Sequence, residues 1–344
     1  KEVTTLAGEK GVAGWADRSE STSGVARFNS PGDIATDGEF LYVADTGNHV
    51  IRKIDLYTGV VETISGIRAG SGLVDSVDGS PMFKSPEGIT WHNGILYVSD
   101  TGNHILRKVD LATRQVSFLA GDVVCTEETE AVNDVTIIKK TCNGQPTGTS
   151  AFGDSTDGTG TTTSFSAPSG INTDGVYLYV MDSGTNRIRR VQMDTGETKS
   201  FSYSMHKGVS LNSPAGGDLS GGILYIADKG NHIVRKLEII NLIGAPLILI
   251  AGNLGVSGYG YSTGYSASFY NPVGITADGM GNLYVADTGN HTIRKVVIAT
   301  GVVTTVAGIP ARPGFMNSEF GYPMFNYPRG ICIIGNHLYV ADSG

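Results

Sequence analysis

The chain has 344 residues, with 48 Gly, 12 Pro, only 17% charged residues and a formal net charge of −8. Gly and Pro at this level disfavour helices and no window shows helical apolar spacing, so we predict an all-β fold. The acidic balance predicts no nucleic-acid partner, because phosphate binding needs a positive patch. The longest apolar run, residues 239–251, contains Asn241, Gly244 and Pro246 and is too short for a membrane span.

One sequence unit occurs six times along the chain. The string LYVADTGNHVIRKID at Leu41–Asp55 returns in similar form at Leu96, Leu178, Leu224 and Leu283, and in shortened form at Leu338. A unit of this length cannot bury its own apolar faces, so such repeats stack as solenoids, propellers or arrays. The irregular spacing of the copies indicates insertions between the units.

Each unit predicts four strands, here called a to d in chain order. A Phe-x-x-Pro segment such as Phe83–Pro86 opens strand a, where Pro costs no ladder hydrogen bond. The LYVAD segment is strand b, and the I-R-K-I segment is strand c. Between them we expect Thr-Gly-Asn-His to form a tight turn, with its Gly free to take positive φ. Strand d follows a second Gly-containing turn, and strands b and d are almost continuously apolar, which indicates sheets covered on both faces.

These features predict a six-bladed β-propeller of four-stranded antiparallel blades, built as a single domain over residues 1–344. Lys1–Gly8 matches strand d without an a, b or c strand before it, so we expect this N-terminal strand to close the last blade. The sixth unit stops at Gly344, just after strand b. Either the polypeptide continues past Gly344, or a neighbouring molecule adds a strand and the protein self-assembles.

The repeated Asn and His side chains, as at Asn48 and His49, make the chain resemble the NHL-repeat β-propellers, named for the Asn, His and Leu of their motif. The LYVADTGNHxIRK core, the FNSP segment and the TTLAG exit together resemble the secreted bacterial branch of that family. The resemblance covers nearly all of the chain outside residues 122–164. It implies the propeller fold, whereas family members bind proteins or RNA or act as lyases on the same scaffold.

An acidic and a basic residue recur at fixed positions in the repeat. The Asp ends strand b, and the Arg lies seven residues later in the neighbouring strand c. We interpret them as structural, because so many copies of a catalytic residue would have no use and a charge-assisted pair would hold each blade in register. The pairs are Asp45 with Arg52, Asp100 with Arg107, Asp182 with Arg189, Asp228 with Arg235, and Asp287 with Arg294.

The sequence carries no recognisable motif for metal or nucleophilic chemistry. Outside the repeat, His92, His206 and His337 are isolated and lack zinc-ligand spacing. Neither a G-x-S-x-G segment nor a Gly-rich phosphate loop occurs, and residues 154–158 resemble a calcium loop without its closing Glu. We therefore predict no catalytic residue, no metal and no cofactor.

The links between blades and the b–c turns are expected to emerge on one face of a propeller, here called the top face. These links vary while the strands are uniform, and loops on a rigid scaffold are where binding usually resides. The largest is an acidic insertion at about 122–164. The other links carry aromatic residues, of which Trp15, Tyr261 and Phe315 are our candidates for contact with a protein or glycan. Each could also anchor only its own loop.

The channel mouth is a second candidate site. The residues after the Pro of strand a should approach the propeller axis, and there the sequence places Asp33, Glu87 and Arg329. Two carboxylates with one guanidinium could hold a small polar ligand. An internal ion pair that plugs the channel explains the same residues.

Three cysteines give an indication of the compartment. Cys125 and Cys142 bracket the acidic insertion, and we predict a disulfide between them that would stabilise the loop by about 3 kcal/mol. Cys332 lies in a strand and is expected to be a buried thiol. A disulfide favours an oxidising, extracytoplasmic location, whether secreted, periplasmic or at the cell surface. The start at Lys1 fits a processed form or an excerpt.

Together these observations predict a non-enzymatic exported propeller that acts as a protein-binding or scaffolding module through its top-face loops. One alternative is a hydrolase or lyase with its site at the channel mouth, which should show converging titratable residues with shifted pKa values. Another is a subunit of an extracellular filament or surface assembly.

Overall fold

The computed structural model describes residues 2–19, 24–67, 70–75, 81–123, 126–132, 135–141, 156–205, 208–240, 243–260 and 262–344. Antiparallel sheets dominate these residues, and the only helical segments among them are short 3₁₀ turns. The predicted all-β class is confirmed. No helix in this part of the chain is long and apolar enough to cross a membrane.

Five sheets contain strands a to d side by side in chain order. Blade 1 comprises β1 (Asp33–Thr36), β2 (Phe40–Asp45), β3 (Val50–Asp55) and β4 (Val61–Ser65). Blade 2 comprises β5 (Ile89–His92), β6 (Ile95–Asp100), β7 (Ile105–Asp110) and β8 (Val116–Ala120). A separate hairpin follows, made of β9 (Thr126–Val132) and β10 (Val135–Thr141).

Blades 3 and 4 each carry a fifth strand on the outer edge. Blade 3 comprises β11 (Gly158–Thr159), β12 (Pro168–Thr173), β13 (Tyr177–Asp182), β14 (Arg187–Gln192) and β15 (Glu197–Ser200), with β11 beside β15. Blade 4 comprises β16 (Ser202–Met205), β17 (Pro214–Ser220), β18 (Ile223–Asp228), β19 (Ile233–Glu238) and β20 (Ile243–Ala251), with β16 parallel to β20. Blade 5 comprises β21 (Pro272–Ala277), β22 (Asn282–Asp287), β23 (Thr292–Val297) and β24 (Val303–Ala307). The sixth sheet contains only β25 (Pro328–Ile334) and β26 (His337–Asp342).

The innermost strands form a closed ring. Each of β1, β5, β12, β17, β21 and β25 contacts the next, and β25 returns to contact β1. The core is divided among the junctions between neighbouring sheets, where apolar side chains from both sheets form one cluster. Between blades 1 and 2, for example, Ile51, Phe83 and Leu96 are fully buried together. Burial of both sheet faces explains why strand b is almost continuously apolar. The same expectation is wrong for strand d, which lies further out and carries exposed polar residues such as Ser117 and Thr304.

The expectation of six complete blades is wrong for the described residues, which form five complete blades and a two-stranded sixth sheet. The expectation that the N-terminal segment forms a strand of that sheet is also wrong, because residues 2–8 adopt no strand. Strand d of the other blades pairs with strand c, and no described residue forms a strand c beside β26. Residues 2–8 are held instead by side-chain and loop contacts. Val3 exchanges two hydrogen bonds with Ser318, at 2.7 and 3.0 Å, and Ala7 packs against the cluster between the sixth sheet and blade 1.

Part of the acidic insertion forms the β9–β10 hairpin. Its register places Glu127 opposite Lys140 and Glu128 opposite Lys139. Cys125 and Cys142 lie outside the described residues, next in sequence to the paired Thr126 and Thr141. The disulfide between them stays a prediction.

The b–c turns differ from the expected geometry in one respect. The residue with positive φ is the His, at 61° in His49, and not the preceding Gly. Gly47 serves close approach instead, because a Cβ there would lie 2.6 Å from the Asn29 side chain. In four blades the turn is a single 3₁₀ turn, at Thr46–Asn48, Thr101–Asn103, Lys229–Asn231 and Thr288–Asn290.

The His side chains of these turns join consecutive blades. Nδ1 of His49 accepts a hydrogen bond from the backbone N–H of Ser85 in the next blade at 2.9 Å. In the same way, His104, His232 and His291 accept the backbone N–H of Ala167, Asn271 and Tyr327, respectively, at 2.9 to 3.2 Å. In blade 3, Asn186 takes the place of His and its Oδ1 accepts from Ser213 at 2.6 Å. The accepting nitrogen must carry no proton, so these imidazoles are neutral.

This arrangement predicts that the protein loses stability as the pH falls below about 6.5, the ordinary pKa of His. Burial lowers the pKa of His104, His232 and His291, so their contribution is complete above the unfolded-state pKa and is lost as the pH falls through the folded-state pKa. Replacing all four His with Asn, the residue blade 3 already uses, should keep the acceptors and remove this dependence. Urea unfolding of both proteins between pH 7 and pH 5 measures the difference. If the free energy of unfolding changed with pH equally in both proteins, the role given to the neutral His side chains would be contradicted.

Candidate functional site

The buried Asp and Arg of each repeat anchor the links to the strands. In blade 1, Asp45 Oδ2 lies 2.9 Å from Arg52 Nη1, and both side chains are fully buried. Arg52 also donates to the main-chain carbonyls of Arg27 and Ala16 and to the carboxylate of Asp17, all three in the preceding link. One guanidinium therefore ties strand b, strand c and the link together.

The same pair occurs in all five complete blades. The remaining distances are 3.4 Å for Asp100 and Arg107, 3.3 Å for Asp182 and Arg189, 2.7 Å for Asp228 and Arg235, and 3.1 Å for Asp287 and Arg294. The Phe of the Phe-x-x-Pro segment stacks on the guanidinium in four blades, with 4.7 to 5.6 Å from Cζ to the ring centroid. Blade 4 has Leu211 instead of Phe, and there Arg235 binds its Asp through Nε.

The links and the b–c turns lie on one face, the top face. Asn48 of the blade 1 turn donates to Gly14 O of the preceding link at 2.6 Å. On the other side of the ring, the amide of Gly255 donates to Asn231 O at 3.0 Å and that of Ala311 to Asn290 O at 3.1 Å. The strand framework thus holds the variable loops together above the ring.

Exposed apolar side chains concentrate on three consecutive links. These are residues 9–27, 253–271 and 309–327, which lead into blade 1, blade 5 and the sixth sheet. The side chains, here called the top-face patch, are Val12, Trp15, Val25, Leu254, Val256, Tyr259, Tyr265, Tyr270, Tyr322 and Tyr327. The other exposed large apolar side chains among the described residues lie on the N-terminal segment, on an outer strand or singly on turns of the opposite face, such as Tyr57 and Met280.

The three links contact one another through shared partners. A Cβ on Gly11 of the first link would lie 3.5 Å from the ring of Phe315 on the third. Asn290 of the blade 5 turn connects the second and third links. Its side-chain amide donates to Gly258 O at 2.6 Å, and its backbone carbonyl accepts the N–H of Ala311. The His291 ring packs edge-on against Tyr327, with 4.5 Å between ring centroids.

The structure places the predicted aromatic residues as follows. Trp15 is 45% exposed and belongs to the patch. Phe315 is partly buried and faces the neighbouring link, whereas Tyr261 lies outside the described residues. Sequence reasoning missed Tyr270 and Tyr327, although each replaces the small or polar residue that other copies carry between the Phe and the Pro.

At the channel mouth the structure brings Asp33, Glu87 and Arg329 together. Arg329 Nη2 of the sixth sheet lies 3.1 Å from Glu87 Oε1 of blade 2. Blade 1 lies between these two sheets, and its residue at the equivalent position, Gly32, has no side chain. Asp33 accepts the backbone N–H of Ile89 at 3.3 Å. Burial raises the pKa of Asp33 to about 7, with Glu87 raising it further and Arg329 lowering it.

Below this pair the inner strands of neighbouring sheets are closely packed. A Cβ on Gly88 would lie 2.0 Å from Ser169 O, and one on Gly274 would lie 2.0 Å from Arg329 O. Adjacent strands therefore touch backbone to backbone, which only Gly permits. Cys332 lies further along strand a of the sixth sheet, and burial together with Asp33 and Asp218 raises the pKa of its thiol to about 12. The thiol is protonated at neutral pH and is a poor nucleophile.

This geometry predicts opposite effects of two neutralising substitutions on Asp33. Glu87→Gln should lower the pKa of Asp33, because a negative charge is removed and Arg329 loses its partner. Arg329→Gln should raise it, because Glu87 is left uncompensated. Carboxyl carbon chemical shifts followed by NMR between pH 3 and pH 9 measure both changes, with the solvent-exposed Asp194 as internal reference. Titration of Asp33 near 4 in all three proteins would contradict the assignment.

Comparisons with known proteins agree with this architecture. The NHL repeat family model matches residues 269–296, and the LVIVD repeat model matches residues 30–51. The human NHL repeat-containing protein 2 is 29% identical over 347 aligned residues, which cover 91% of this chain and 45% of that protein. The chain thus spans about half the length of the curated relatives it matches.

Solved structures show the same fold. A protein of unknown function from Bacteroides thetaiotaomicron superposes with a TM-score of 0.67 at 20% identity, over 99% of this chain and 73% of that one. An auxiliary nutrient binding protein from the same species gives a TM-score of 0.63 at 14% identity, over 92% and 67% of the two chains. The repeated Asn-His turns, the ring of blades and these matches support an NHL-repeat β-propeller family for this chain.

Proposed function

We propose that this chain is a non-enzymatic, exported propeller that binds a protein through its top-face patch. The observation that carries the proposal is the concentration of exposed Tyr, Trp, Val and Leu side chains on three adjoining links. A concentration of exposed apolar side chains is a mark of interaction sites, and Tyr and Trp are enriched where proteins meet. The ion pairs below the links supply a rigid support.

The composition of the patch favours a protein over a glycan. Val12, Leu254 and Val256 lie among its aromatic residues. Aliphatic side chains offer no hydrogen bonds to sugar hydroxyls, whereas they bury area against apolar groups of a protein. Aromatic anchors surrounded by such side chains are the arrangement in which a few residues carry most of the binding energy.

Two double variants test this proposal. Tyr259→Ser with Tyr322→Ser removes two patch side chains that are 54% and 80% exposed, and Tyr57→Ser with Met280→Ser removes two opposite-face side chains that are 98% and 81% exposed. The immobilised proteins are compared for the proteins they retain from native material, and the affinity of the retained partner is then measured in solution. The top-face variant should bind about 30-fold more weakly or worse, since one anchor contributes about 2 kcal/mol.

The opposite-face variant should bind like the wild type, and both should unfold at the wild-type temperature because none of the four side chains is in the core. Equal loss of binding in both variants would mean non-specific adhesion. Retention of glycan alone, released by glycosidase treatment, would replace the protein partner with a sugar ligand.

The channel mouth supports the alternative of a hydrolase or lyase. A carboxyl whose pKa lies near 7, beside an ion pair, is an arrangement in which acid or base catalysis can occur. The Glu87–Arg329 pair and the tight backbone contacts below it support a plug instead. The alternative would be favoured if the protein turned over a substrate, and if Asp33→Asn abolished this turnover while binding to the top face was kept.

The exported location depends on the predicted Cys125–Cys142 disulfide. Alkylation of the unfolded protein without reductant should label only Cys332, and prior reduction should add two further labels by intact mass. Three labels without reductant would remove the argument for an oxidising compartment.

A further inference from the structure

Two of the four turn His side chains contact exposed Tyr residues of the top-face patch. The His291 ring packs edge-on against Tyr327, and its Nδ1 accepts the backbone N–H of the same residue at 3.1 Å. The His232 ring packs edge-on against Tyr270, with 5.8 Å between ring centroids, and its Nδ1 accepts the N–H of Asn271 at 3.2 Å. Each imidazole therefore fixes both a patch side chain and the backbone at its base.

The other two turn His side chains make the same hydrogen bond at a different place on the ring. His49 and His104 accept the backbone N–H groups of Ser85 and Ala167. Neither of these donors, nor the residue before each of them, belongs to the patch. All four hydrogen bonds join consecutive blades, whereas two of them also position patch side chains.

Protonation of an imidazole removes its acceptor. A neutral His accepts through one ring nitrogen, whereas the charged form donates from both. A protonated Nδ1 of His291 would direct its hydrogen at the N–H of Tyr327, so the two donors would repel each other. We expect the link to move away from the turn and the Tyr327 ring to lose its edge-on contact. His is the side chain whose ordinary pKa places this change between pH 5 and pH 8.

The surroundings of the two rings determine where they titrate. Burial lowers the pKa of His291. Burial also lowers the pKa of His232 and is the largest effect there, whereas the backbone carbonyl of Lys229 and the negative charge of Asp228 raise it. Both imidazoles are therefore neutral at pH 7.5 and gain a proton below about 6.5, the ordinary pKa of His.

The elements packed against the rings bring further titratable groups. The side chains of Tyr270 and Tyr327 face the rings. Asp287 accepts the N–H of Tyr270 at 2.7 Å, and Asp342 accepts that of Asn326 at 2.6 Å. Burial raises the pKa of Asp287 to about 6 and that of Asp342 to about 7. A protonated carboxyl keeps an oxygen that accepts, so acidification removes the acceptor of the His side chains and not that of the carboxyls.

We propose that His232 and His291 make the top-face patch a pH-sensitive binding surface, which holds its protein partner at neutral pH and releases it on acidification. This inference rests on the proposed function, because it takes the patch as the binding surface. The affinity is complete above the ordinary pKa of His, where both acceptors are present. It falls as the pH drops through the lowered pKa values of the two side chains in the folded protein.

Hydroxyl-radical labelling of the 344-residue protein tests the effect on the patch without a partner. The protein is labelled at pH 7.5 and at pH 5, and the labelled side chains are quantified by mass spectrometry after digestion. Labelling of Tyr270 and Tyr327 should increase at pH 5 relative to that of Tyr259 and Tyr322, which lie on the same two links. Circular dichroism at both pH values shows that the protein stays folded.

Two double variants identify the imidazoles that are responsible. The patch-His variant, His232→Asn with His291→Asn, carries at both positions the side chain that blade 3 uses at Asn186, so the acceptors remain without a titrating group. Its labelling pattern should be the same at both pH values. His49→Asn with His104→Asn is the matched control, because it makes the same change at the other two turns, and it should keep the wild-type response.

The protein that the immobilised wild type retains at pH 7.5 is then used to measure affinity. Between pH 7.5 and pH 5 its affinity for the wild type and for the control should fall by about tenfold, because only molecules with both patch imidazoles neutral bind it. The patch-His variant should show a much smaller fall. Any titration of the retained protein itself is common to all three measurements.

Labelling of Tyr270 and Tyr327 that does not change with pH in the wild type would overturn the proposal. An equal response in the patch-His variant would overturn it too, and would assign the effect to carboxyls such as Asp287. If the labelling depends on His232 and His291 but no protein is retained at pH 7.5, the proposed function fails and the control of the patch by the two imidazoles stands.

Discussion

A buried guanidinium bound to a buried carboxylate is the interaction on which this propeller depends. In each complete blade the Arg of strand c is fully or almost fully removed from water and lies 2.7 to 3.4 Å from its Asp. Burying two charges is costly unless the geometry satisfies both of them. Here the carboxylate also accepts a backbone N–H and an Asn amide, or in blade 3 the hydroxyl of Thr185, and the guanidinium donates to carbonyls of the link. These hydrogen bonds form only when strand b, strand c and the link are in one arrangement.

This constraint separates a uniform interior from a variable surface. Each link is held at its base by the same contacts, so its tip can change sequence without disturbing the sheets. Three adjoining links carry exposed aromatic and aliphatic side chains, and we propose that they bind the partner.

Much of this was predictable because the repeat encodes local chemistry. The strand order, the all-β class and the placement of Asp and Arg on neighbouring strands follow from the pattern itself. The role of Gly47 was not predictable, because close approach to Asn29 depends on how the link folds over the turn. Likewise residues 2–8 match strand d in sequence, yet a strand forms only where a neighbouring strand offers hydrogen bonds. Tyr270 and Tyr327 of the patch were missed because exposure depends on tertiary packing, which a single sequence does not display.

A double-mutant cycle at Asp287 and Arg294 tests the central claim most directly. Arg294→Met alone should reduce the free energy of unfolding by about 3–5 kcal/mol, because an uncompensated carboxylate remains buried. Adding Asp287→Asn should recover a substantial part of that loss, so that the two effects are strongly non-additive. The exposed pair of Arg114 and Glu62 serves as the control and should show a coupling below about 1 kcal/mol. Additive effects at Asp287 and Arg294, or a cost no larger than that of the control pair, would contradict the account.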